Sequence, residues 1–361
     1  MSTTVTGQFD SAKALSELKD PARIRRFIGL GARVEDLFDA YSRIVELEDW
    51  QRELSAIGAL YEKAGETIED KPVRVGNFLQ AACYFHIATL GMFEDDDRRI
   101  ELYRSVVRAY RKAAPDLPIP AEVVEYTFKD VPFSGYLRRP VGVANAPCIL
   151  LLRGQDAVRE VELHTISDFM LVRGFATFAI DAAGQGESRF VGLRMPDDLI
   201  ESVDAAIDVL EATDGINTAR LGLIGQSWGG HLAARIAAAD TRIKAAIALG
   251  GFYSLADYKR NALAERNFIM NMGGDPDEAH RREGLFTLDG LIDQIRIPFF
   301  AANGAQDKVI PPTQTVKMYE HATHSAYRKL KLFEGLPHCA YYDNRSVLLE
   351  LADWLHEVLP E

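Results

Sequence analysis

From Cys148 onward, short apolar runs alternate with helical stretches: "CILLL", "FATFAI", "RLGLIG", "IKAAIAL" and "IPFFAA" are separated by segments such as "DDLIESVDAAIDVLEA". No other feature of the chain restricts its fold as strongly. A run that is apolar at every position needs cover on both faces, and strands joined through helices lie parallel. The rhythm therefore predicts an α/β fold, a mainly parallel, doubly wound sheet. Ahead of it, "EVVEYTF" and "SGYLRRP" read as an antiparallel pair. The interval 251–295 breaks the rhythm; it is long for a connection and reads as a small insertion over a site.

The front of the chain has another texture. Val34, Leu37, Phe38, Tyr41, Ile44, Val45 and Leu47 recur at steps of three and four, which predicts one helical face. "VGNFLQAACYFHIATLGMF" is apolar nearly all round and predicts a helix buried on several sides. "DRRIELYRSVVRAYRKAA" is amphipathic and stops at Pro115. The proline-rich "APDLPIPAE" marks a boundary between an all-helical domain, 1–117, and an α/β domain, 118–361. Two units also suit a chain of 361 residues, more than one core usually supports.

Charge and composition exclude several roles. Lys and Arg number 41 against 53 Asp and Glu, a net charge of −12, which disfavours nucleic acid and anionic membranes as partners. No apolar run approaches the length of a membrane span, and "MSTTVTGQFDSAKALSELKD" lacks a basic-then-apolar leader; a soluble, cytoplasmic protein is expected. Cys83, Cys148 and Cys339 show no metal-type spacing and read as buried free thiols. The acidic run "EDDDRR" reads as a solvated loop. The glycines of "DAAGQGES" do not complete a dinucleotide fingerprint, and His86 reads as a satisfied core histidine. Neither metal nor cofactor is expected.

The chemistry centres on "GQSWG", Gly225 to Gly229, between a predicted strand and a predicted helix. It matches the nucleophile-elbow pattern G-x-S-x-G, in which the serine sits on a strained turn and flanking side chains would collide with neighbours. A chain of this length holds only about a tenth of one such match by chance. A serine hydroxyl needs a general base, itself oriented by an acid, and in this architecture the chain order is serine, acid, histidine. His338 in "LFEGLPHCAYYD" follows the last predicted strand and fits the base. His321 and His324 fall at a surface helix and His356 in the terminal helix. Asp307 in "IPFFAANGAQDKVIPP" fits the acid. Asp181 precedes the serine in a Gly-rich loop and reads as a turn-stabilising residue. The oxyanion formed on attack calls for two fixed N–H donors, Trp228 after the nucleophile and Gln155 in "LLRGQDAVRE".

Together "AYRKAAP", "GYLRRP", "RGQDAVRE", "DAAGQGES", "GQSWGG", "LGGFYSLADY" and "PHC" resemble the α/β-hydrolase superfamily, in the branch of 2,6-dihydroxypseudooxynicotine hydrolase and its esterase-like and polyketide-trimming relatives. The resemblance implies an α/β-hydrolase fold with an N-terminal helical cap domain that supports a homodimer. It also implies hydrolysis of a carbon–carbon bond beside a ketone, in a 1,3-dicarbonyl-like aryl substrate, with Ser227, Asp307 and His338 as the triad. An extra acid after "GGF" is implied as well, for which Glu265 and Asp257 are the candidates in "GGFYSLADYKRNALAERNF"; Arg159 stands where the family more often has lysine. Ester or lactone cleavage fits the same residues. So do acyl transfer or cyclisation from the same acyl-enzyme, and a non-catalytic ligand-binding role on a retained hydrolase fold.

Overall fold

The computed structural model describes residues 10–93, 97–198 and 200–359. Six helices come first: α1 (Ser11–Leu18), α2 (Pro21–Gly29), α3 (Val34–Arg43), α4 (Leu47–Thr67), α5 (Lys71–Thr89) and α6 (Asp97–Ala113). Local chemistry sets several starts. Asp10, Asp20 and Asp70 accept a first-turn N–H of α1, α2 and α5, and a proline in the first turn of α2 and α5 forfeits no helix bond. As its composition predicts, α5 is buried without interruption from Ala81 to Thr89, packed against α4 and α6.

The single face expected over 34–47 does not exist. Ile44 is extended, and the Asp49 carboxylate accepts the N–H groups of Val45 (2.8 Å) and Glu46 (3.0 Å), starting a new helix in a new direction. Phe38 and Val45 are left in solvent, 62% and 82% exposed. A three-four spacing that crosses a cap counts residues from two different helices as one stripe.

The sheet has eight strands among the described residues: β1 (Glu122–Phe128), β2 (Val131–Arg138), β3 (Ala146–Leu152), β4 (Ala176–Ile180), β5 (Ile216–Gln226), β6 (Ile243–Leu249), β7 (Phe299–Gly304) and β8 (Arg328–Phe333). Their order is β1-β2-β4-β3-β5-β6-β7-β8. β1 and β2 form the expected antiparallel pair, β2 also runs antiparallel to β4, and every other neighbour is parallel. Lys129 and Asp130 turn the hairpin with both φ positive (49° and 60°), the mirror-image turn that matches strand twist, here made without glycine.

Helices α7 (His164–Leu171), α8 (Glu201–Glu211), α9 (Trp228–Ala239), α10 (Ala262–Asn271), α11 (Pro276–Arg282), α12 (Pro312–His321) and α13 (Asn344–Val358) complete the chain. Alternate strand residues feed two cores. Ile149 and Leu151 join one that runs through α7 and α13 into the N-terminal helices, while Leu150 and Leu152 join another with α8 and α9. This is why the central strands are apolar at every position, and it makes the helical layer continuous with one face of the sheet. No helix among the described residues is long and apolar enough to cross a membrane.

Candidate active site

The carboxyl ends of β3, β5, β7 and β8 bring four loops together. Between β5 and α9, Ser227 sits at φ 57°, ψ −115°, a strained backbone that costs about 1–3 kcal/mol and holds its hydroxyl clear of the turn. Its N–H donates to Leu249 O at 2.8 Å and its carbonyl accepts from Gly230 at 2.8 Å. The flanking glycines are sterically required. A Cβ on Gly225 would lie 1.8 Å from Gly229 O, and one on Gly229 would lie 2.4 Å from Leu152 O.

Ser227 Oγ lies 2.9 Å from His338 Nε2, and His338 Nδ1 lies 2.6 Å from Asp307 Oδ2. Asp307 is oriented in turn: its Oδ1 accepts the N–H groups of Val309 (2.7 Å) and Ile310 (3.0 Å). Asn303, at the end of β7, ties the acid loop to the histidine loop. It donates to Asp307 Oδ2 at 2.8 Å while its Oδ1 accepts the N–H groups of Gly304 (2.8 Å) and Cys339 (3.2 Å). Cys339 and Ala340 both adopt left-handed backbone (φ 53° and 54°), placing the Cys339 thiol 3.4 Å from His338 Nε2. Burial disfavours the imidazolium of His338, but the adjacent Asp307 carboxylate and Cys339 outweigh it and hold its pKa well above the ordinary histidine value. Sequence reasoning missed Asn303; its one local signal is a polar residue ending the apolar run "IPFFAAN".

Gly154 packs against the serine, for a Cβ there would meet Ser227 Cβ at 3.2 Å. This close approach brings the Gln155 and Trp228 residues to one small cavity of about 40 Å³, shared with Ser227, Tyr258, Arg260 and Phe268. Trp228 opens α9, so its N–H belongs to the first turn and has no acceptor within the helix. Among the described residues, neither the Gln155 nor the Trp228 N–H donates to a protein acceptor. Donors of this kind, at the positive end of a helix, suit a developing oxyanion. The β6–β7 segment supplies Tyr258, Arg260 and Phe268, so it sets what can reach the serine. A larger cavity of about 440 Å³ opens on α6, but no nucleophile lines it. Its cations Arg104, Arg108, Arg111 and Lys112 are each paired with Glu101, Glu62, Glu187 or Glu66.

Other predicted residues lie elsewhere. Asp257 pairs with Lys317 at 2.8 Å, and Glu265 with Arg260 and His280, both at 2.6 Å. Neither acid lines the Ser227 cavity; Glu265 reaches it only through Arg260, which does. Glu265, His280 and Glu283 come within metal-ligand reach of one another, but the Arg260 guanidinium already bridges both glutamates. Asp181 is more than a turn residue. It is buried and ion-paired with Arg153 and, at 3.4 Å, with Arg159, and so neutralises two buried guanidiniums at the carboxyl ends of β3 and β4. Arg159 also pairs with Glu160 (3.0 Å) and with Glu187. His324 donates to Asp293 O and His356 to Arg173 O, both at the surface; His321 ends α12 beside Tyr253. His86 is fully buried 3.0 Å from Glu162, and the three cysteines are buried and free. Of "EDDDRR", residues 94–96 lie outside the described residues, as does the stretch 1–9 of the amino terminus.

The family described as Esterase FrsA-like matches residues 21–263, and that of acetyl xylan esterase (AXE1) matches residues 198–355. A 2,6-dihydropseudooxynicotine hydrolase of Paenarthrobacter nicotinovorans is 31% identical over 268 residues, 73% of this chain and 72% of that protein. An Esterase FrsA of Shigella flexneri is 25% identical over 257 residues; these cover 68% of this chain but only 62%, under two thirds, of the esterase. The crystal structure of the 2,6-dihydroxy-pseudo-oxynicotine hydrolase superposes with a TM-score of 0.82 at 27% identity, covering 93% of this chain and 95% of the other.

Proposed function

The chain belongs to the Esterase FrsA-like family of the α/β-hydrolase superfamily, and on that premise we propose that it is a serine hydrolase of a small aromatic or polyketide-like substrate, cutting a carbon–carbon bond beside a ketone or an ester or lactone bond at the same carbonyl. One observation carries this reading: Asp307, His338 and a strained Ser227 form an unbroken chain of contacts at 2.6 and 2.9 Å. The apolar, aromatic lining of the cavity, with Trp228, Phe252 and Phe268, supports an aryl substrate.

In this mechanism His338 Nε2 takes the hydroxyl proton as Ser227 Oγ bonds to the carbonyl carbon. Asp307 holds the tautomer that leaves Nε2 free to accept, and stabilises the imidazolium that forms. The oxyanion rests on the Gln155 and Trp228 N–H groups, each donor contributing about 3–4 kcal/mol in the transition state. Collapse breaks the bond to the leaving group, which takes the proton from His338. When that bond is carbon–carbon, the departing electron pair needs a neighbouring carbonyl to delocalise it, hence a 1,3-dicarbonyl substrate. Water activated by His338 then releases the acid from Ser227.

A panel of aryl 1,3-diketones and aryl esters, assayed across pH, tests the proposal. The base form of His338 exists above its pKa, and Asp307 holds that pKa up. For a substrate that is turned over, kcat/KM is therefore expected to rise with pH, with an inflection above the ordinary histidine value of about 6.5. Asp307→Asn should move the inflection to lower pH and reduce kcat about 10⁴-fold. An inflection unmoved by Asp307→Asn, or hydrolysis of neither class, counts against the proposed roles.

A further inference from the structure

The loop that carries the Gln155 N–H is gripped from outside the catalytic sheet. Asp156 follows Gln155 directly, and its two carboxylate oxygens take the two Nη groups of Arg26 at 3.2 and 3.3 Å. Arg26 is 5% exposed and belongs to α2, 130 residues earlier in the chain. Its Nη2 also donates to Glu162 Oε1 at 2.6 Å, in the π-helical turn Arg159–Leu163 that follows the loop. Glu162 lies 3.0 Å from His86 of α5 and accepts the Val158 N–H at 3.0 Å. Two helices of the N-terminal layer thus hold the loop and the helical turn that follows it.

The choice of charged partners is informative. Burial penalises the ionised carboxylates, yet Arg26 and Arg23 hold Asp156 well below the usual carboxylate range; against the same penalty His86, Arg26 and the Val158 N–H bring Glu162 down to about 2. Both are ionised throughout the working pH range. A half-buried ion pair such as Arg26–Asp156 contributes little net stability, and an apolar contact could join helix to sheet as well. What a guanidinium fork on a carboxylate adds is direction: two parallel donors fix the plane of Asp156, and with it the backbone one residue before.

We propose that Arg26 and Asp156 are positioning residues, which aim the Gln155 N–H at the oxyanion so that the helical layer governs the rate of acylation. The inference rests on the reading of Ser227 as nucleophile and Gln155 as donor. Neither Arg26 nor Asp156 touches the reacting atoms. A misaimed donor weakens contacts made only in the transition state, so kcat falls and KM does not.

Asp156→Ala is the informative variant, because Arg26 keeps Glu162 as a partner and Arg23, the other guanidinium facing Asp156, keeps Glu17 and Asp20 nearby. Steady-state kinetics on an aryl ester, the second-order rate of phosphonylation of Ser227 by a fluorophosphonate, and thermal melting are measured together. The expected result is a fall of about 10²-fold in kcat and in the phosphonylation rate, with KM within about twofold and an unchanged melting transition. Asp156→Asn, which still accepts from the fork, should recover part of the rate. Adding Arg26→Lys to Asp156→Ala should cost kcat little more than Asp156→Ala does, since the two act as one unit. Wild-type kcat and labelling rate in Asp156→Ala overturn the inference while leaving the serine reading intact. So does a loss of rate that only follows a loss of folded protein, which makes the pair an anchor. Absence of label from wild-type Ser227 removes the underlying reading, and this one with it.

Discussion

Ser227→Ala is expected to lower kcat by about 10⁶-fold, with KM changed only a few-fold. The size follows from how the site is wired. His338 Nε2 lies 2.9 Å from Ser227 Oγ, nearer than the 3.4 Å to the Cys339 thiol, and Asp307 serves the reaction through His338. Removing one member disables the unit, so His338→Ala added to Ser227→Ala should cost little more than either alone. The Gln155 and Trp228 donors and the cavity remain, and a residual acceleration of roughly 10³–10⁴ over water is expected from them. Kinetics with active-site titration check this. A kcat within tenfold of wild type would mean that another residue attacks the substrate.

The second large effect is on stability. Asp181 is the contacting counter-ion of Arg153, both buried, at the carboxyl end of β4; among the described residues the Arg153 guanidinium also donates to the carbonyls of Gly154 and Ala157, and the more distant Glu160 adds to the field on it. Asp181→Ala leaves that guanidinium with no carboxylate in contact in a low-dielectric site. Breaking a buried pair from one side costs about 3–5 kcal/mol, a large part of the 5–15 kcal/mol that typically separates folded from unfolded chains. Denaturant titration should show the midpoint falling with the slope unchanged. Removing both partners at once, as Arg153→Met with Asp181→Ala, should recover much of the loss, because no lone charge stays behind. A loss below about 1 kcal/mol for Asp181→Ala would show that the pair is solvated in the folded state.

What the sequence reveals and what it hides divide along the range of the interactions. Gly225 and Gly229 declare the Ser227 turn because their constraint is local: each lacks a Cβ where a backbone carbonyl passes within 2.4 Å. The doubly apolar strands declare the parallel sheet, since a strand with two cores has no polar face. The candidates Asp307 and His338 stand out by their places after β7 and β8, in the chain order that the proposed mechanism requires. Pairings between distant residues leave no such mark. Arg26 finds Asp156 across 130 positions, and Arg153 finds Asp181 across 28, with nothing in either neighbourhood to announce a partner. For the same reason Glu265 reads as an acid near the site, although Arg260 and His280 engage both its oxygens. The break at Ile44 is hidden differently: only the capping of Val45 and Glu46 by Asp49 separates two helices that spacing alone runs together.

The most direct measurement is mass spectrometry of the intact chain and its peptides after exposure to a fluorophosphonate. The proposed mechanism requires one stoichiometric adduct, mapped to Ser227 in "GQSWGG", that is absent from Ser227→Ala. An unmodified wild-type chain, or an adduct that persists in Ser227→Ala, would contradict it.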